Sequence, residues 1–214
     1  MAKTEIGEYE ILHAQLALFL AVVLQMVPNQ SLVVGPKYII AGLELLLVFG
    51  IGITTHNRQS QASHWRRNIA LFLIALISLA NTTSMFLVAR GLIVGTNISG
   101  RSLIASAGAI FITNIIIFSL WYWELDSPGL TGLRRHNTKP QFDFPQMESK
   151  VAEAQGWEPS YGDYLYVSTT NATAFSPTDT MPFTHMAKLL MGLQSLISLI
   201  AVVLVTARAV NILG

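Results

Sequence analysis

The chain alternates long apolar runs with short polar ones. Five of the apolar runs reach or approach the roughly 20 residues a helix needs to cross a bilayer: Ile11–Val27, Tyr38–Ile53, Ile69–Val94, Ser102–Trp123 and Thr184–Leu213. The second is the shortest, at the lower limit. The first four are predicted to form two helical hairpins, turned by residues 28–37 and by 95–101, where Gly-Thr-Asn-Ile-Ser-Gly is a turn signal. A polar linker, 56–67, separates the hairpins. From Glu124 to Gly162 the pattern becomes polar, aromatic and proline-bearing. Phe142, Phe144, Trp157 and Tyr161 predict a connector packed against something, since disordered segments are poor in aromatics. Residues 161–172 are too few to span and too apolar to float in water, which predicts a half-helix dipping into the membrane. Backbone chemistry allows this only where the chain is buried in protein or lines a water-filled cavity.

The pattern thus predicts an all-α membrane protein with five transmembrane helices and a re-entrant pore helix and loop before the last one. Residues 1–123 form a four-helix transmembrane rim, 124–160 a polar connector or cap, and 161–214 the pore helix, loop and inner helix.

Composition agrees with a membrane class. Of 214 residues, 52% are hydrophobic and 12% charged, against about a quarter charged in soluble domains. A multi-pass protein of the cell membrane, plasma or bacterial inner, in contact with lipid, is expected. The first ten residues carry Glu5, Glu8 and Glu10 in place of a basic start, and no small-residue cleavage site follows, so the first apolar run is expected to be retained. With no cysteine, thiolate chemistry is excluded and packing alone must hold the connector. No basic run with interleaved aromatics points to nucleic acid. His13, His56, His64, His136 and His185 are scattered without metal spacing, and no nucleophile elbow, Walker loop or zincin helix occurs. No enzyme activity, cofactor or metal is expected. Arg90 is the one arginine well within the first four runs, which excludes a voltage-sensing ladder. Orientation stays open, because the short loops set Arg58, Arg66 and Arg67 against Lys37, Arg90 and Arg101.

The stretch from Asp163 to Leu190 resembles the pore module of two-helix-type potassium channels, which carry D-x-L-Y-x-S, then T-T-V-G-Y-G-D, then x-x-P and T-x-x-G-R-L-L. Asp163, Leu165, Tyr166 and Ser168 fall on the pore-helix pattern, Asp179 and Pro182 on the filter exit, and Thr184, Lys188, Leu189 and Leu190 on the inner-helix start. The filter departs from the family: Ala174, Phe175, Ser176, Pro177 and Thr178 stand where T-V-G-Y-G is expected. The whole chain also resembles a family of bacterial five-span membrane proteins without an established activity, through L-W-Y-W-E-L-D, D-Y-L-Y, T-A-F-S-P-T-D-T-M-P and A-R-A-V-N-I-L. The resemblance implies a homotetrameric ion channel of the pore-loop type with a non-GYG filter. Its path would be lined by Thr170, Asn171, Thr173, Ser176, Thr178 and Asp179, with Phe175 as a constriction. Without the glycines that let carbonyls face an ion, weakly selective, cation-favouring conduction is implied. Alternatively, the chain is a non-conducting scaffold or accessory subunit retaining the fold. Ser-Pro-Thr-Asp read alone is a helix-capping turn.

In the last run, Gln194 and Ser198 lie four apart and read as inner-helix lining, or equally as a packing contact; Ser195 and Thr206 add to the stripe, while Arg208 and Asn211 reach for headgroups. Glu44, the acid well inside a span, is expected to pair with Arg90 and tie the hairpins together. Asn81, Thr82, Thr83, Ser84, Thr113 and Asn114 read as interhelical hydrogen-bonding groups. Trp121, Tyr122 and Trp123, with Tyr38 and Trp65, read as membrane-interface anchors.

Overall fold

Apolar side chains recurring every three or four residues wind the longest runs into helices whose buried seams meet on one central helix. The computed structural model describes residues 8–33, 36, 38, 41–42, 44–46, 49, 64–94, 99–126, 140–175 and 179–213. Helix α1 is Glu8–Leu24, α2 His64–Val94, α3 Gly100–Asp126, α4 Lys150–Ala154, α5 Tyr161–Ala174 and α6 His185–Leu213. Short 3-10 turns occupy Gln30–Leu32 and Pro145–Glu148. The described residues of the second apolar run (Tyr38, Ala41, Gly42, Glu44, Leu45, Leu46 and Phe49) are helical.

Three helices are long and apolar enough to cross a membrane, within Arg67–Gly91, Gly100–Asp126 and His185–Thr206, and α1 is a shorter apolar helix. These three mark the protein as one built for a membrane. Helix α2, at 31 residues, extends about 46 Å at about 1.5 Å per residue, so its ends overrun a hydrocarbon core of about 30 Å.

Helix α3 is the hub, packed by α1, α2, α5 and α6. Small side chains along it, Ser106, Ala107, Ala109, Thr113 and Ser119, let neighbouring backbones approach, as membrane helices require. It begins where Ser99 Oγ accepts from the Ser102 amide at 3.3 Å, an N-terminal cap, and ends two residues before Pro128, which cannot continue a helix. Helix α1 turns Ala14, Leu18, Ala21 and Val22 to the core, and α2 turns Ala70, Leu73, Ile74, Ile77, Met85 and Val88. The seam on α6 is Ala187, Met191, Gln194, Ser198 and Ala201.

At the Asp126 end of α3 an aromatic cluster of Tyr122, Trp123, Phe142, Phe144, Tyr161 and Tyr164 is buried, with Trp157 against Phe144. Gly156, in the left-handed region at φ 62°, closes α4 with Trp157 N donating to Ala152 O at 2.9 Å, the geometry glycine favours after a helix. Two short strands, β1 (Phe142–Asp143) and β2 (Met181–Pro182), pair antiparallel with Phe142 opposite Pro182. The other end of the bundle is closed by Leu32 against Met85, Val88 and Leu103.

Two expectations are corrected. Glu44 does not pair with Arg90: it is fully buried and accepts from Gln25 Nε2 at 3.3 Å, while Arg90 is exposed. Sharing a leaflet fixes depth but not direction around the helix axis. Tyr122 and Trp123 are not interface anchors facing lipid headgroups. Both are 0% exposed, because α5 and the connector wrap that end of α3. Trp121 is half-buried and donates through Nε1 to Ser78 Oγ at 2.9 Å.

Candidate functional site

Helix α5 begins beside the Asp126 end of α3. Its first turn is tied by the Asp163 carboxylate, which accepts from Ser160 N and Ser160 Oγ, each at 2.7 Å. Tyr161 OH meets Ser119 Oγ at 3.0 Å and Tyr164 OH donates to Asp126 Oδ2 at 2.8 Å, so the base of α5 is fastened to α3. Further on, Ser168 Oγ donates to the Ile115 carbonyl at 2.6 Å. That carbonyl lies about 16 Å along α3 from Asp126, at about 1.5 Å per residue, near the middle of the helix. The chain then returns. At β2 it is back at the Asp126 end, where Gln141 N donates to Asp126 Oδ1, Phe183 N donates to Gln141 O at 2.8 Å and Thr184 Oγ1 donates to Gln141 Oε1.

Beside Ser168 a buried polar cluster joins three helices. Gln194, 0% exposed, donates through Nε2 to Ser168 O at 2.9 Å and Ser168 Oγ at 2.7 Å. Its Oε1 accepts from Tyr122 OH at 2.5 Å and from Asn171 Nδ2 at 2.8 Å. Asn171 Nδ2 also donates to Met191 O at 3.0 Å, and its Oδ1 accepts from Ser195 Oγ at 3.1 Å. One layer deeper, Asn114 Nδ2 donates to Ser198 Oγ at 2.9 Å. Unpaired amides are costly in a low-dielectric interior, and here the Gln194 and Asn171 carboxamides each find donors and acceptors within one chain.

Gln194 and Ser198 therefore face the interior of the chain, and the contact reading of that stripe is the one its geometry fits. Asn171, expected in the path, is likewise buried. The hydroxyls of Thr170 and Thr173 stay on the outer side of α5, donating to carbonyls of their own helix: Thr170 to Tyr166 O at 3.0 Å and Thr173 to Thr169 O at 2.8 Å. Thr173, Ala174 and Phe175 are exposed at the tip, and Phe175 takes a left-handed conformation, φ 56°. Asp179 is exposed. Ser176, Pro177 and Thr178 lie outside the described residues.

Tyr122 was missed as a member of this cluster because it sits in an aromatic run that reads as an interface belt. The four-residue spacing of Gln194 and Ser198, with Asn114 at mid-helix, was the usable signal for the rest. Among the described residues no group of acidic or histidine side chains is arranged to hold a metal ion. No family model, curated protein or solved structure matches the chain, so the functional reading rests on these residues.

Proposed function

We propose that the chain is a five-span membrane protein with a re-entrant half-helix, and that it assembles as a homotetramer into a pore-loop-type ion channel that favours cations weakly. The observation that carries this reading is the course of α5. It starts at the Asp126 end, is bonded to the middle of α3 through Ser168, and the chain is back at the same end by Met181. A helix of 14 residues that stops at such depth leaves its last carbonyls without intrahelical partners. Hydrocarbon does not tolerate that, whereas a water-filled cavity between copies does. The carbonyl end of α5 carries the negative pole of the helix dipole, and Asp179 adds an exposed carboxylate beyond it. Both attract cations.

The test is current through purified protein in planar bilayers under a KCl gradient. Reproducible channels with a cation reversal potential, reduced in conductance or selectivity by Asp179→Asn, support the proposal. Silence from stable oligomers overturns it.

A second reading, a non-conducting scaffold, is favoured by a different observation. The polar stripe of α6 is turned inward, and its outward side presents Leu189, Leu193, Leu196 and Val203, an apolar surface suited to lipid or another helix. Under that reading the oligomer forms and no current flows.

A further inference from the structure

The two ends of α5 are bonded to different helices. Its base is bonded to α3, through Tyr161 to Ser119 and Tyr164 to Asp126. Its tip is bonded to α6: the three contacts of the Asn171 carboxamide within 3.1 Å go to Met191 O, Gln194 Oε1 and Ser195 Oγ. Between them Ser168 is bonded to both, donating to Ile115 O on α3 and accepting from Gln194 Nε2 on α6. Tyr122 of α3 approaches Asn171 at 3.5 Å, the longest contact that carboxamide makes in the cluster. Tyr122 also donates to Gln194 Oε1 at 2.5 Å, and with Asn114 to Ser198 at 2.9 Å this limits how far α3 and α6 can shift against each other.

From this arrangement we infer that α5 is a lever. Ser168 is its fulcrum, and Gln194 is the positioning residue that makes the tip follow α6. A rigid helix held at its base by one neighbour and at its tip by another cannot stay still when the two slide past each other. It must tilt about the point bonded to both. Any displacement of α6 relative to α3 is therefore delivered to Thr173, Ala174 and Phe175. Helix α6 is the least enclosed of the three long apolar helices, with 22% of its apolar window buried against 67% for α3, so it is the one that lipid or a neighbouring copy acts on first. As a means of regulation the inference rests on the pore-loop reading. The mechanical linkage itself does not.

The experiment is amide hydrogen exchange of the full chain in lipid nanodiscs, resolved along α5, for wild type, Gln194→Leu and a Tyr161→Phe, Tyr164→Phe double variant. Losing a buried hydrogen bond is worth roughly a tenfold change in local opening. Gln194→Leu is expected to speed exchange at 169–174 by roughly that factor and leave 161–166 as in wild type. The tyrosine double variant is expected to do the reverse. Uniform change along α5 in both, or no change in either, overturns the lever. If Gln194→Leu does not fold, Ser195→Ala removes one tip bond alone and is expected to give the same pattern at smaller size; its absence there also overturns the lever. Bilayer currents separate the two proposals. The split exchange pattern in a protein that never conducts keeps the lever and removes the pore, and conduction with uniform exchange does the opposite.

Discussion

Arg67 and Glu124 form an ion pair across the Asp126 end of the α2–α3 hairpin, Nε to Oε1 3.2 Å, with the Glu124 side chain 1% exposed and that of Arg67 18%. Arg67 also donates to the Glu124 carbonyl at 3.4 Å. Removing one member of a buried pair leaves a charge without compensation, which costs more than the pair contributes. Arg67→Ala is expected to destabilise the protein by about 3 kcal/mol. Arg67→Met with Glu124→Leu is expected to recover most of that loss. Thermal unfolding in detergent, followed by the monodisperse fraction remaining, reads both.

The Gln25–Glu44 contact predicts an asymmetry of the same kind at the other end of the bundle. Glu44 Oε2 accepts from Gln25, while Oε1 is buried with no hydrogen-bond partner among the described residues. Gln25→Met strands the carboxyl and is expected to lower stability by about 2 kcal/mol, while Gln25→Met with Glu44→Met is expected to be neutral or stabilising. Unchanged melting in the single variant would show that the contact carries no energy.

The Asp163 carboxylate fastens the first turn of α5 by accepting from Ser160 N and Oγ. Asp163→Ala is expected to cost about 1 kcal/mol, seen as faster amide exchange confined to 161–164. Exchange at 169–174 is expected to stay as in wild type, since those residues are held from α6.

Phe175 holds a left-handed conformation at the end of α5, φ 56°. For an L-residue with a Cβ this costs about 1 kcal/mol, so Phe175→Gly is expected to raise the melting temperature. Phe175→Val, with a branched Cβ at the same φ, is expected to lower it. A reversed order would show that the ring makes a stabilising contact outweighing the backbone strain.

What could be read from the chain was the placement of elements, and what could not was their rotation. Helices α2, α3 and α6 are each long enough for a 20-residue hydropathy window to register, and the half-helix was expected at 161–172 where α5 is Tyr161–Ala174. Helix α1 starts earlier than its apolar run, at Glu8, because acids in a first turn suit the helix dipole although hydropathy counts against them. Gln194 and Ser198 were visible as a stripe, but an apolar solvent gives no rule for which way a polar stripe turns. It can meet a cavity or a neighbouring helix with equal satisfaction. The decisive partners, Tyr122 and Asn171, lie 72 and 23 residues away, beyond any local pattern. Glu44 and Arg90 failed as a pair for the same reason.

The clasp between Phe142 and Pro182 also fixes the order in which the molecule can be made. The 37 residues 144–180 are gathered behind two short strands, and the second strand leaves the ribosome just ahead of α6. Ser168 and Asn171 emerge before Gln194, Ser195 and Met191 exist to receive them, so α5 can bond to α3 through Tyr161, Tyr164 and Ser168 as it is made, while its bonds to α6 wait for the C-terminal helix to follow.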